Sequence, residues 1–253
     1  MLENKVGMIF GVANKRSIAW ACADSCRENG ADLAFTYQGE RLERNITRLT
    51  KDMKDTLVVP CDVTNQNQVE SAFEAVEKKY GRLDFLIHSI AFAPREALEG
   101  EFLDTERDAF LMALEVSAFS LTQLAKSAKP LMKDGGSIVT MSYYGAEKVV
   151  QNYNVMGAAK AALESSTRYL ANDMGKDNIR VNAISAGPIK TLSARGVKDM
   201  GNFLNHIEER SPLRRNVTAK EVGDTALFLV SDLSSAITGE TIYVDCGFNI
   251  MGI

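Results

Sequence analysis

The chain has 253 residues with 45% apolar side chains, enough to bury one substantial core, and nothing in its length calls for a second domain. A formal net charge of -4 excludes the global basic field that holds nucleic acid or anionic lipid. The four cysteines, Cys22, Cys26, Cys61 and Cys246, are too few and too scattered for a disulfide framework and point to reduced thiols in the cytoplasm.

Glu3, Asn4 and Lys5 lead directly into an apolar strand with no h-region of a signal peptide, and no apolar stretch approaches the roughly 18 residues of a membrane span. Short apolar or β-branched runs at 6–10, 32–37, 57–60, 83–87, 137–141, 180–184 and 241–244 read as strands, with amphipathic helical patterns between most of them. That alternation predicts an α/β fold: a Rossmann-type, doubly wound parallel sheet of about seven strands in a single domain spanning 1–253. No linker, repeat or low-complexity tract divides it.

The first strand ends at Phe10-Gly11 and a helix begins near Ser17-Ile18-Ala19, so this turn sits where such sheets bind a pyrophosphate on backbone amides. Its glycine signature is degenerate, because Gly11-Val-Ala-Asn-Lys-Arg-Ser17 lacks the later glycines of GxGxxG. Two further positions favour a dinucleotide over an ordinary tight turn. Gln38 follows the second strand, where an amide can address the adenosine ribose. Asp62 follows the third, where a carboxylate can accept from the adenine amino group. The plainer alternatives are a solvated strand end for Gln38 and a helix-capping role for Asp62.

His88 ends the fourth strand and reads as structural. With His206 it makes only two histidines, and neither HExxH nor CxxC nor GxSxG occurs, so metal catalysis and serine hydrolysis are not expected. After the fifth strand two tyrosine–lysine pairs compete. Tyr144 and Lys148 have the Tyr-x3-Lys spacing of short-chain dehydrogenases, whereas Tyr153 and Lys160 are seven residues apart. On a helix, i and i+7 differ by about 20° around the axis and roughly 10 Å along it, so such a pair can address two parts of one ligand. Tyr144 immediately follows a strand and precedes Gly145, which makes helical geometry doubtful there, while Lys160 lies in a helical run. This favours Tyr153 with Lys160, joined by Tyr143 at the strand end. An ammonium beside a phenol would favour its charged form. The weakly periodic stretch 187–212 reads as a substrate-covering segment, closed by Thr218-Ala-Lys-Glu221, whose Thr and Glu can cap a helix reciprocally.

At these residues the sequence resembles the enoyl-acyl-carrier-protein reductases of bacterial fatty-acid synthesis, within the short-chain dehydrogenase/reductase superfamily. The resemblance runs through Gly11-Val-Ala-Asn-Lys-Arg-Ser-Ile-Ala, Phe35-Thr-Tyr-Gln38, Cys61-Asp-Val63, His88-Ser-Ile-Ala-Phe-Ala93, Asn152-Tyr-Asn-Val-Met-Gly157 and Asn182-Ala-Ile-Ser-Ala-Gly-Pro-Ile-Lys-Thr-Leu192. Ketoreductases of the superfamily usually carry Asn-Asn-Ala-Gly after the fourth strand and a Ser ahead of Tyr-x3-Lys. Here those places hold His88-Ser-Ile-Ala91 and Tyr143.

The resemblance implies NADH-dependent reduction of the trans-2 double bond of enoyl thioesters on acyl carrier protein, by a cytoplasmic homotetramer without metal. It implies that Gly11, Ser17 and Ile18 meet the pyrophosphate and its surroundings, Gln38 the ribose, and Asp62 with Val63 the adenine. Ile90, Lys160, Ile189, Lys190, Thr191, Leu192 and Ser193 would line the nicotinamide half. Ala93 and Met156 would pack substrate, with Tyr153 as oxyanion donor and Tyr143 as assisting phenol. NADH is expected over NADPH because Gln38-Gly-Glu40 offers an amide and an acid where a 2′-phosphate needs cations, although Arg41 and Arg44 lie close in sequence. A ketoacyl reductase using Tyr144 and Lys148, and a cofactor sensor without turnover, are the rival readings. Residues 187–215 carry six basic against three acidic side chains, a local excess that would attract an acidic carrier protein.

Overall fold

The structure, a computed structural model, describes residues 1–189, 191 and 200–252. Its strands are β1 (Val6–Phe10), β2 (Asp32–Tyr37), β3 (Leu57–Pro60), β4 (Phe85–His88), β5 (Gly136–Ser142), β6 (Ile179–Ala186) and β7 (Thr241–Val244). They form one parallel sheet in the order β3-β2-β1-β4-β5-β6-β7. Every residue of β1 is buried, as expected of a central strand covered on both faces.

The covering helices are α1 (Ile18–Glu28), α2 (Glu40–Thr50), α3 (Gln66–Tyr80), α4 (Arg107–Leu114), α5 (Ser120–Ala128), α6 (Asn154–Gly175), α7 (Met200–Arg210) and α8 (Ala219–Val230). On one face Val69, Leu121 and Leu163, from α3, α5 and α6, pack with Met8, Leu86 and Ile138. On the other, Cys22, Cys26, Val222 and Leu229, from α1 and α8, pack with Ile9, Ile87 and Val139. All four cysteines are free and buried. The capping box at α8 is formed by Thr218 and Glu221.

Three features differ from the sequence expectation. β4 starts at Phe85 and includes His88, and β5 and β6 run on to Ser142 and Ala186. Apolar runs fail to mark these ends because the polar residues there stay in the ladder, with Ser142 paired to Ser185 and both buried. The 187–212 stretch contains α7, whose apolar stripe is narrow: Leu204 and Ile207 are buried while Phe203 is partly exposed. Between α4 and α5 lies one π-helical turn, Glu115–Phe119, a device common near functional sites.

Candidate active site

The order of the sheet reverses between β1 and β4, and open α/β sheets bind ligands outside the carboxyl ends of strands at such a switch point. Gly11 opens the turn there with φ 96°, and a Cβ at that position would drive into the Ser89 carbonyl, so the turn can take this path only without a side chain. The Ser17 hydroxyl accepts from the N–H groups of Ala13 and Asn14 at 3.0 Å each, holding the loop shut. Ser17 thus braces the turn through its side-chain hydroxyl. At the start of α1 the N–H groups of Ile18 and Ala19 have no partner among the described residues. Two free amides at the positive end of an 11-residue helix fit a pyrophosphate.

A cavity of about 860 Å³ runs from this turn across the carboxyl edge of the sheet. Gly11, Ser17, Ile18, Ile90, Ala93, Tyr143, Tyr153, Met156, Lys160, Ile189 and Thr191 all contribute to its wall. Eleven of the sequence-predicted site residues therefore share one space. Lys190, Leu192 and Ser193 lie outside the described residues.

Within the cavity the rings of Tyr143 and Tyr153 meet edge to face at 4.8 Å between centroids. Tyr153 occupies the N-cap of α6, one residue before the helix on which Lys160 sits, so the pair bridges a helix start and does not share one helix. Asn152 and Asn154 on either side have φ of 59° and 31°, a left-handed turn that Asn tolerates better than most residues. Asn154 also donates through Nδ2 to the Gly100 carbonyl at 3.1 Å. A Cβ on Gly145 would stand 2.5 and 2.8 Å from Tyr153 ring carbons, so the bare glycine makes the seat for that ring.

Tyr144 and Lys148 also line this cavity. The Tyr144 ring lies against Tyr243 and Phe248, its hydroxyl faces the Asn249 carbonyl at 3.4 Å, and Lys148 is exposed. Tyr144 and Lys148 share a backbone hydrogen bond, Lys148 N–H to the Tyr144 carbonyl at 3.1 Å, but no side-chain hydrogen bond.

Lys160 is 4% exposed, and its ammonium donates to the Met141 carbonyl at 2.7 Å. Burial pulls its pKa down to about 8, partly opposed by Glu164. Burial pushes both phenols up, Tyr153 further through its neighbour Tyr143. This corrects the expectation of a phenol made acidic by an ammonium: Tyr153 is a neutral O–H donor throughout the working range.

His88 is fully buried, with Nδ1 2.7 Å from the Thr140 hydroxyl and Nε2 2.8 Å from that of Ser120. Since Ser120 donates its proton to the Val116 carbonyl at 2.7 Å, it must accept from Nε2–H, and Thr140 then donates to Nδ1. Burial, then Lys160, hold its pKa at about 3, so His88 is a neutral strut.

At the far end of the sheet Gln38 Nε2 donates to Asp62 Oδ2 at 2.7 Å. The other Asp62 oxygen accepts from the Thr64 amide and hydroxyl. Burial alone would raise this carboxyl, but the Thr64 and Gln38 donors together hold it below its usual range. Asp62 does not cap α3; Asn65 does. The Val63 side chain is packed in the core.

The family described as enoyl-(acyl carrier protein) reductase matches residues 11–249. The chain belongs to this family. The enoyl-(acyl-carrier-protein) reductase (NADH) of Bacillus cereus is 56% identical over 254 residues, covering 100% of this chain and 99% of that protein. A crystal structure of the Bacillus cereus enoyl-acyl carrier protein reductase with NADP+ and indole naphthyridinone superposes with a TM-score of 0.98 at 55% identity, covering 100% of this chain and 99% of that one. The Anaplasma phagocytophilum reductase in complex with NAD gives 0.96 at 47% identity, covering 100% and 96%.

Within this family frame the structure also adds residues that motif reading passes over. Phe203, His206 and Phe248 line the cavity from distant parts of the chain. Ser117, on the π-helical turn, exchanges both hydrogen bonds with the backbone of Phe92 and lies 3.7 Å from Met156 Sδ. Single serines carry no sequence signal; only the π turn exposes this one to the loop after β4.

Proposed function

We propose that the chain reduces the trans-2 double bond of enoyl thioesters carried on acyl carrier protein, the last reductive step of fatty-acid elongation, with NADH as reductant. One observation carries this reading: Tyr143, Tyr153 and Lys160 meet in the same cavity as the open helix start of α1. The reduced nicotinamide, when bound, supplies a hydride for Cβ of the substrate. Tyr153 holds its proton and donates a hydrogen bond to the thioester oxygen as negative charge grows there, before Cα is protonated. A donor placed in advance at developing charge lowers the barrier by about 3 kcal/mol. Tyr143 packs against Tyr153 and assists as a second phenol. Lys160 keeps two ammonium protons for the nicotinamide ribose once Met141 has taken one.

Ala93 and Met156 line the acyl end. Asn202, Phe203 and His206 form part of the wall from α7, which supports the role of 187–212 as a cover within a single catalytic domain. The preference for NADH rests on Gln38. With its nitrogen bound by Asp62, it presents a carbonyl oxygen that accepts from a 2′-hydroxyl and repels a 2′-phosphate. We further propose a cytoplasmic homotetramer. No helix among the described residues is long and apolar enough to cross a membrane, and those residues hold no cluster of three metal-ligating side chains.

Of the basic side chains at 187–215 that would attract an acidic carrier protein, only Arg215 has a carboxylate partner among the described residues. Arg215 is paired with Glu221 at 2.6 Å, Arg214 donates to the Glu209 carbonyl, and Lys190, Arg195 and Lys198 lie outside the described residues. The deciding experiment follows nicotinamide absorbance with crotonyl and longer enoyl thioesters and each reduced cofactor. Rapid loss with NADH and enoyl substrates is expected. Turnover of 3-ketoacyl thioesters with enoyl thioesters untouched would overturn the reading, as would kcat/KM with NADPH equal to that with NADH.

A further inference from the structure

Glu164 stands one turn beyond Lys160 on α6, a carboxylate 7% exposed, and no step above uses it. The Ser142 hydroxyl, at the last position of β5, donates to Glu164 Oε1. Ser142 directly follows Met141, whose carbonyl receives the Lys160 ammonium. The end of β5 thus grips both charged side chains of α6 through consecutive residues. The Glu164 carboxylate acts on the Lys160 ammonium through space, between two buried side chains where screening is weak.

We infer that Glu164, held by Ser142, is a positioning residue that keeps the Lys160 ammonium charged and aimed for cofactor binding. This rests on the role proposed for Lys160 above. Burying an ammonium among apolar groups favours its neutral form, and a neutral amine loses the donor count the ribose contact needs. A like-shaped amide at 164 would keep the Ser142 bond and remove the charge.

Other charged and titratable groups face this cluster. His88 approaches from β4 and is neutral. Tyr143 and Tyr153 hold their protons. On the far side of Glu164, Arg168 favours its charge and Glu147 opposes it, while Tyr243 of β7 donates to Glu147. Burial is the largest influence on Glu164 and raises it, which is the reason the Ser142 donor matters.

The test is NADH titration by fluorescence between pH 6 and 10. In the unsubstituted chain affinity falls as pH rises through the Lys160 value of about 8. Lys160→Arg, charged throughout, should flatten that step and so assign it. Glu164→Gln should move the step down by about one pH unit, so that affinity at pH 8 falls about fivefold while at pH 6 it stays within about twofold. Glu164→Asp, which keeps the charge, should restore most of the shift. A step unmoved in Glu164→Gln overturns the inference, and should that chain fail to fold, an unmoved step in Ser142→Ala does so. Failure of the unsubstituted chain to reduce enoyl thioesters would sink the functional reading while leaving this titration to stand or fall alone.

Discussion

At the end of the site proposed for adenosine, Gln38 and Asp62 meet at the ends of two neighbouring strands, Gln38 exposed and Asp62 half-buried. At the reacting end, Tyr143, Tyr153 and Lys160 are enclosed by β5, α6, α7 and the loop after β4. Both ends are polar, and the same type of hydrogen bond operates in each, yet its worth differs. In water a protein–ligand bond replaces a water bond and nets about 1 kcal/mol. In an enclosed, weakly screened cavity a donor aimed at developing charge is worth about three times that. The open end is thus suited to selecting the cofactor, and the closed end to accelerating the reaction.

The largest expected effect breaks the closed end. Tyr153→Phe should lower kcat about 100-fold while the NADH dissociation constant stays within about twofold, because a single transition-state donor is lost. Steady-state kinetics with crotonyl thioester and a fluorescence titration check both halves. A larger loss from Tyr144→Phe would move the chemistry to the other pair. Lys160→Ala should come next, weakening NADH binding and turnover together by about tenfold each, since it removes a cofactor contact worth roughly 1.5 kcal/mol.

Gly145→Ala sharpens the comparison without touching a polar group. The new methyl meets the Tyr153 ring at 2.5 Å, so the ring must shift, and a displacement approaching 1 Å of a reacting group should cost about tenfold in kcat. NADH affinity should not change; a fall in it equal to the fall in kcat would show that the whole turn has collapsed. The smallest effect belongs to the open end. Gln38→Ala should raise KM for NADH about threefold, leave kcat alone, and narrow the preference over NADPH, as suits one exposed hydrogen bond. A large loss of kcat there would show that the two ends are mechanically coupled.

The sequence displayed the parallel sheet clearly, because central strands such as 6–10 are continuous apolar runs and the helices between them keep a 3.6-residue rhythm. It also marked the α8 capping box, whose partners are three residues apart. It blurred strand ends at Ser142 and Ser185, where buried polar residues look like loop, and it hid α7, whose apolar stripe is only about two residues wide at its centre. The spacing favoured Tyr153 with Lys160, but the protonation of Tyr153 was not legible, since burial cannot be read from spacing.

The sequence alone therefore determined what depends on neighbours within a turn or a strand: element type, sheet class, the Gly11 turn and the family motifs. Tertiary structure decided everything that joins distant positions. The bond from Ser142 to Glu164 spans 22 residues, and the two hydrogen bonds that hold the His88 ring reach across 52 and 32. Such contacts arise because parallel strands and their crossover helices bring remote residues to one carboxyl edge, where exclusion of water sets their charge states. Pairing and burial of that kind leave no local pattern in the chain.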